Sequence, residues 1–186
     1  MKKKTLQIAL FVGAVFFTTG FSSPENQIDT ENNPAFDEAK EFESVLKVIE
    51  AETSCFFFRD YEGWKDQWVQ ADYTFHAWNF SDGSFGASIG WQAVDEKIGN
   101  YIKTHPVEGG GSSHPEVIRK NIRYHFLSPN TVHLVWEQYN STLDLSAFNV
   151  SNEVRTLEKV NGEWKIVQVA VFWDYLNSIP SEQVKK

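Results

Sequence analysis

Cysteine is nearly absent: Cys55 stands alone in 186 residues, so an intramolecular disulfide is impossible. Cys55 sits in an apolar helical stretch beside Phe56 with no base partner in view, the setting of an inert structural thiol. Positive charge is also in short supply. Seventeen Lys and Arg face 25 Asp and Glu, a formal net charge of −8. Such a surface repels phosphate backbones and anionic bilayers, which disfavours nucleic-acid and membrane-surface partners. Long apolar runs are lacking too. The longest, Leu6 to Phe17, falls short of the roughly 20 residues that span a bilayer.

That run follows Lys2, Lys3 and Lys4 and precedes the small residues Thr18, Thr19, Gly20, Ser22 and Ser23. Basic region, apolar core and small-residue site together read as a secretory signal over residues 1–22. No cysteine adjoins the site, so a lipid anchor is not expected. Cleavage makes the mature chain more acidic and places it outside the cytoplasm, in the periplasm or the medium. Residues 23–35 are polar and acidic and read as a disordered linker. A single domain is expected over 36–177, with a polar tail at 178–186 that frays.

Several site signatures are missing as well. The loop Gly109-Gly110-Gly111-Ser112-Ser113 has no preceding strand and no following Lys-Ser/Thr, so it is not a phosphate cradle. No serine sits in a nucleophile elbow. His125 and His133 fall near opposite positions of one hairpin without a third ligand, so no metal site and no cofactor are expected.

Aromatic side chains are abundant: 7 Trp, 6 Tyr and 15 Phe. They must fill a core, line a cavity or coat an interface. A helix is predicted to begin between Pro34 and Asp37. Its apolar positions are Phe42, Val45, Leu46, Ile49 and, after a gap, Cys55 and Phe56. A short helix follows over Asp60–Val69, with Trp64 and Trp68 four apart. Tyr73–Phe80 alternates as a strand up to the turn Ser81-Asp82-Gly83, and Gly90–Thr104 is a third helix. Four strands then close the chain: 117–127, 132–140, 152–160 and 163–175. Asn161-Gly162 joins the last two as a tight hairpin. Helices first and antiparallel strands last predict an α+β fold with helices on one face of a curved sheet.

The Asn-Gly loop sets a register. Val160 pairs with Glu163, Glu158 with Lys165, Thr156 with Val167 and Val154 with Val169 on one face. Lys159–Trp164, Leu157–Ile166, Arg155–Gln168 and Glu153–Ala170 follow on the other. The pattern alone leaves open whether the Arg155 face or the valine face is the core.

Asp60-Tyr61-Glu62-Gly63-Trp64, Gly90-Trp91-Gln92-Ala93 and the closing run from Glu153 to Lys159 and from Asn161 to Val167 resemble the nuclear transport factor 2-like superfamily. Within it the chain is most similar to secreted SnoaL-like bacterial proteins, over roughly residues 37–176. The resemblance implies a cone-shaped, cystatin-like curved antiparallel sheet packed against three helices of the N-terminal half, with a pocket at the wide end. It implies that Glu153, Arg155 and Gln168 look into the cone. It also implies a homodimer through the outer sheet face, here Val154, Val167, Val169, Val171 and Trp173. A His-x-His-x-Ser run common on the last strand of relatives is replaced by Gln168-Val169-Ala170-Val171-Phe172, which weakens the case for acid–base catalysis there.

The expected ligand contacts are Tyr61, Trp64, His76, Trp78, Trp91, Arg155 and Gln168. Arg155 suits a carboxylate or sulfate through its planar fork. His76 shares a strand face with Trp78. His76 and Glu153 are the catalytic candidates for a cofactor-free lyase, isomerase or hydrolase. The preferred reading is a pocket for a small, partly apolar molecule; a dimeric interaction module is the third.

Overall fold

The computed structural model describes residues 36–186. The expected signal (1–22) and linker (23–35) lie outside the described residues. Helix α1 spans Glu38–Phe58 and starts where Asp37 accepts the Lys40 backbone N–H at 3.1 Å. It stops at Arg59, whose left-handed backbone (φ 62°) turns the chain and whose N–H reaches back to Cys55 and Phe56. Asp60 then caps α2, Tyr61–Asp66, through the Gly63 N–H.

The third predicted helix forms as α3 (Trp91–Val94), a π-helical turn over Asp95–Gly99, and α4 (Asn100–Thr104). The strands are β1 (Phe75–Asn79), β2 (Phe85–Ile89), β3 (Val117–Ser128), β4 (Thr131–Ser141), β5 (Ala147–Val160) and β6 (Glu163–Pro180). They make one six-stranded sheet in the order β2-β1-β6-β5-β4-β3. Every neighbouring pair is antiparallel except β1 with β6, which run parallel. β2 went unpredicted because its sequence, Phe-Gly-Ala-Ser-Ile, is short and small-sided. It holds its place partly through Gly86, whose missing side chain lets the Trp78 indole lie across it.

Asn161 and Gly162, both at positive φ, make the hairpin turn. The predicted register holds from Val160–Glu163 to Leu157–Ile166. There Val167 bulges, and Thr156 pairs with Gln168, Arg155 with Val169, Val154 with Ala170 and Glu153 with Val171. This corrects the pairs Thr156–Val167, Arg155–Gln168, Val154–Val169 and Glu153–Ala170. The cause lies on the other edge of β6. Trp68 bridges Ile166, and β1 takes over at Gln168, so one residue is spare between two partners. Because side chains alternate, the extra residue turns the rest of β6 over.

The core lies between α1, α2, α3 and the inner sheet face. Val45, Ile49, Trp64, Val94, Ile102, Leu134, Leu157 and Ile166 are sealed from solvent there. The tail departs from expectation. β6 continues to Pro180, and α5 (Ser181–Val184) buries Val184, whose carbonyl accepts from Lys120.

Candidate functional site

The inner face of β4 shows how the cavity arises. Its inward positions read Val132, Leu134, Trp136, Gln138, Asn140: apolar at one end, polar at the other, all buried. β5 repeats the change, from Leu157 to Arg155, Glu153 and Ser151. Where the polar residues begin, a cavity of about 910 Å³ opens. Phe56, Phe57, Trp78, Ile98, Val169, Val171 and Trp173 wall it.

The floor is a bonded set of polar side chains. The Arg155 Nη2 donates to Glu153 Oε2 at 3.0 Å, and its Nη1 lies 3.3 Å from Glu52 Oε2. Glu153 Oε1 accepts from Ser151 at 2.7 Å, and Glu52 Oε1 accepts the Trp64 indole N–H at 3.1 Å. Arg119 stands behind, donating to Thr53 and to Gln138. Burial raises the Glu153 carboxyl despite the opposing pull of Arg155 and Ser151. Glu52, Glu153 and Arg155 are each no more than 5% exposed. Three sites in this set lack a partner among the described residues: Arg155 Nε, Arg155 Nη1 (close to Glu52 but off the bonding direction) and His76 Nδ1.

His76 packs between the rings of Trp68 and Trp78, at 6.0 and 5.2 Å. Its pKa is pushed down to about 3, first by burial and then by the charge of Arg155. It is therefore neutral at ordinary pH. Nδ1 is enclosed by protein, which leaves Nε2 as the ring nitrogen that meets the cavity.

Of the residues expected at the site, His76, Trp78, Glu153 and Arg155 come together on the cavity. The guanidinium face is the concave one, which settles the open choice of face. Tyr61, Trp64, Trp91 and Gln168 are elsewhere. Tyr61 donates to Asp95 at 2.8 Å and carries Lys103 on its ring. Trp64 is fully buried and stacks on Trp91, reaching the site only by holding Glu52. Gln168 faces outward because of the Val167 bulge, between Phe75 and Thr156. The same bulge puts Val169, Val171 and Trp173, expected on the outer face, on the cavity wall.

Glu52, Thr53, Gln138 and His114 were missed. The signal for the first two was present: Glu52 and Thr53 fill the gap in the apolar stripe Val45, Ile49, Phe56, where polar residues have no reason to be unless paired. The Cys55 thiol donates to Asp60 at 3.7 Å. Its pKa is pushed up to about 11 by burial and by Asp60.

No protein-family model matches the chain, and no curated protein matches it in sequence. Solved structures do. A nuclear transport factor 2-like protein of unknown function from Pseudomonas putida is 13% identical, with 73% of this chain and 87% of that one aligned at a TM-score of 0.54. The association domain of CaMKII from C. elegans is 12% identical, covering 72% and 96% at 0.53. The hexachlorocyclohexane dehydrochlorinase LinA-type3 from Novosphingobium barchaimii is 12% identical, covering 76% and 91% at 0.52. At such identities a shared architecture speaks for the fold and not for the activity. The chain has the nuclear transport factor 2-like fold, a curved six-stranded sheet closed by helices of its N-terminal half.

Proposed function

We propose that the cavity binds a small, largely apolar organic molecule. One observation carries this reading: an apolar chamber of about 910 Å³ ends in a floor of buried, mutually bonded polar side chains. Apolar walls supply affinity and a few fixed polar groups supply orientation. The neutral His76, with Nε2 toward the chamber, offers a polar contact without the cost of desolvating an ion. Thermal-shift screening against aromatic and aliphatic acids, amides, alcohols and amines tests it. A ligand at a hundred times its Kd stabilises the domain by about 2.7 kcal/mol. A panel in which no class raises the melting temperature overturns the reading.

A catalytic reading has one observation behind it: Glu153 faces the cavity with its carboxyl raised. A dehydrochlorinase of the same fold gives it a precedent. Both Glu153 oxygens, however, already accept hydrogen bonds, and His76 is a weak base at about 3. Binding is therefore preferred. NMR titration of Glu153 and His76 separates the two, since a proton acceptor in a lyase or isomerase needs a value near neutrality.

We also propose that residues 1–22 direct export. Mass spectrometry of the protein recovered from its native host should give a chain beginning near residue 21 or 23, and an intact N-terminus argues against export. Homodimerisation is proposed through the outer sheet face, its composition now Phe75, Phe85, Ile89, Val154 and Phe172. Sedimentation velocity at micromolar concentration tests it; a monomer alone refutes it.

A further inference from the structure

We infer that the ligand is an organic anion, an aryl or alkyl carboxylate, bound with its charge at the cavity mouth on Lys97 and Arg59 and its apolar end toward the floor. This rests on the binding reading above. It reverses the expectation that Arg155 takes the acid.

Charge accounting at the two ends of the cavity carries the inference. The floor holds Glu52 and Glu153 against Arg155, with Arg119 directly behind. Two carboxylates and two guanidiniums leave no formal surplus. The Arg155 nitrogens without a partner are enclosed by protein and not presented to the cavity. An incoming carboxylate at the floor would meet two buried carboxylates and a guanidinium already shared between them, so its desolvation would be poorly compensated.

The mouth differs. Its cations are Arg59 and Lys97, and neither lies within ion-pair distance of a carboxylate among the described residues. Arg59 donates only to neutral oxygens, the carbonyls of His105 and Phe56 and the Tyr101 hydroxyl. Its guanidinium lies over the Phe56 and Tyr101 rings at 5.2 and 4.9 Å, which fixes its position and leaves its charge unanswered. The π-helical turn carries exposed Lys97 beside Ile98 on the cavity edge. The carboxylates next to Lys97 in sequence are directed elsewhere, Asp95 to Tyr61 and Glu96 to Gln92. Asp174, the one carboxylate of the rim, is turned into its own loop by the N–H groups of Leu176 and Asn177. The rim therefore carries a net positive charge on a chain of net −8. Between rim and floor run Phe56, Trp78, Ile98, Val169 and Val171, an apolar stretch suited to a ring or alkyl body.

The test uses matched pairs: 1-naphthylacetate with 1-naphthylacetamide, and 4-phenylbutyrate with 4-phenylbutyramide, measured by calorimetry and thermal shift. Each acid should bind about tenfold more tightly than its amide, with the preference shrinking in high salt. Lys97→Glu, an exposed substitution that breaks no hydrogen bond, should weaken the acids about tenfold and leave the amides unchanged. Acids and amides bound equally, or acids indifferent to K97E, overturn the placement of the charge and leave the cavity as a binding site. Failure of both members of every pair overturns the binding reading on which it rests.

Discussion

With its imidazole held near 3 by burial and by Arg155, His76 enters the folded domain uncharged, whereas in the unfolded chain it takes up a proton at about 6.5. Between those values the unfolded state binds more protons, so stability is complete above 6.5 and is lost as the pH falls toward 3. The loss is on the order of a few kcal/mol. His76→Phe removes it and replaces an unpartnered Nδ1 with a ring that suits Trp68 and Trp78. Urea melts at pH 7 and pH 4.5 should show the wild type losing markedly more stability than the variant; equal losses would contradict the assignment. Glu153 works in the opposite sense. Its raised carboxyl favours the folded state in acid, and that contribution fades as pH rises through the folded value. Arg155 is the more sensitive position. Arg155→Met leaves Glu52 and Glu153 buried without their common partner, and about 3–5 kcal/mol of stability should go, read from the shift of the urea midpoint. A loss under 1 kcal/mol would mean that the pair is solvated.

At the scale of elements, β6 decides what the cavity contains. Its first half follows the Asn161-Gly162 turn and its second half follows β1. The spare residue, Val167, reconciles the two. Deleting Val167 removes the bulge and leaves the later pairs as they are, Gln168 opposite Thr156 and Val169 opposite Arg155, so Val169, Val171 and Trp173 still face the cavity. The deletion variant should keep the near-ultraviolet circular dichroism of the cavity tryptophans while its urea midpoint falls, because β6 then lacks the residue that spans from Trp68 to Phe75; an unchanged midpoint would show that the bulge is dispensable. Helix α1 makes a smaller prediction. Asp37→Ala removes the N-cap and should cost about 1 kcal/mol in chemical denaturation, without touching the cavity.

For the molecule as a whole, charge is distributed against its own average. A chain of net −8 keeps two cations without an ion-pair partner among the described residues at the rim of this cavity and a neutral cluster at its floor. That polarity should appear in association kinetics. The on-rate of a small carboxylate should fall as ionic strength rises, while that of its amide stays level. Stopped-flow quenching of tryptophan fluorescence can follow both, since Trp78 and Trp173 line the chamber. Identical salt dependence for the two would remove the steering.

Local chemistry determined much of this in advance. Asp37, Asp60 and Asn161-Gly162 set their helix starts and turn from neighbours a few residues away. The closing hairpin of β5 and β6 marked Arg155 and Glu153 as sharing a face, and alternation on β1 did so for His76 and Trp78. Tertiary structure decided the rest. Which face of β6 looks inward depends on a bulge imposed by strands far away in sequence. The partner of Arg155 on α1, Glu52, is a hundred residues distant, and no local pattern encodes a pairing across that gap. Short-range rules act through hydrogen bonds and side-chain periodicity within an element. The composition of a cavity depends on how separate elements meet, and that is settled only when the sheet closes over the helices.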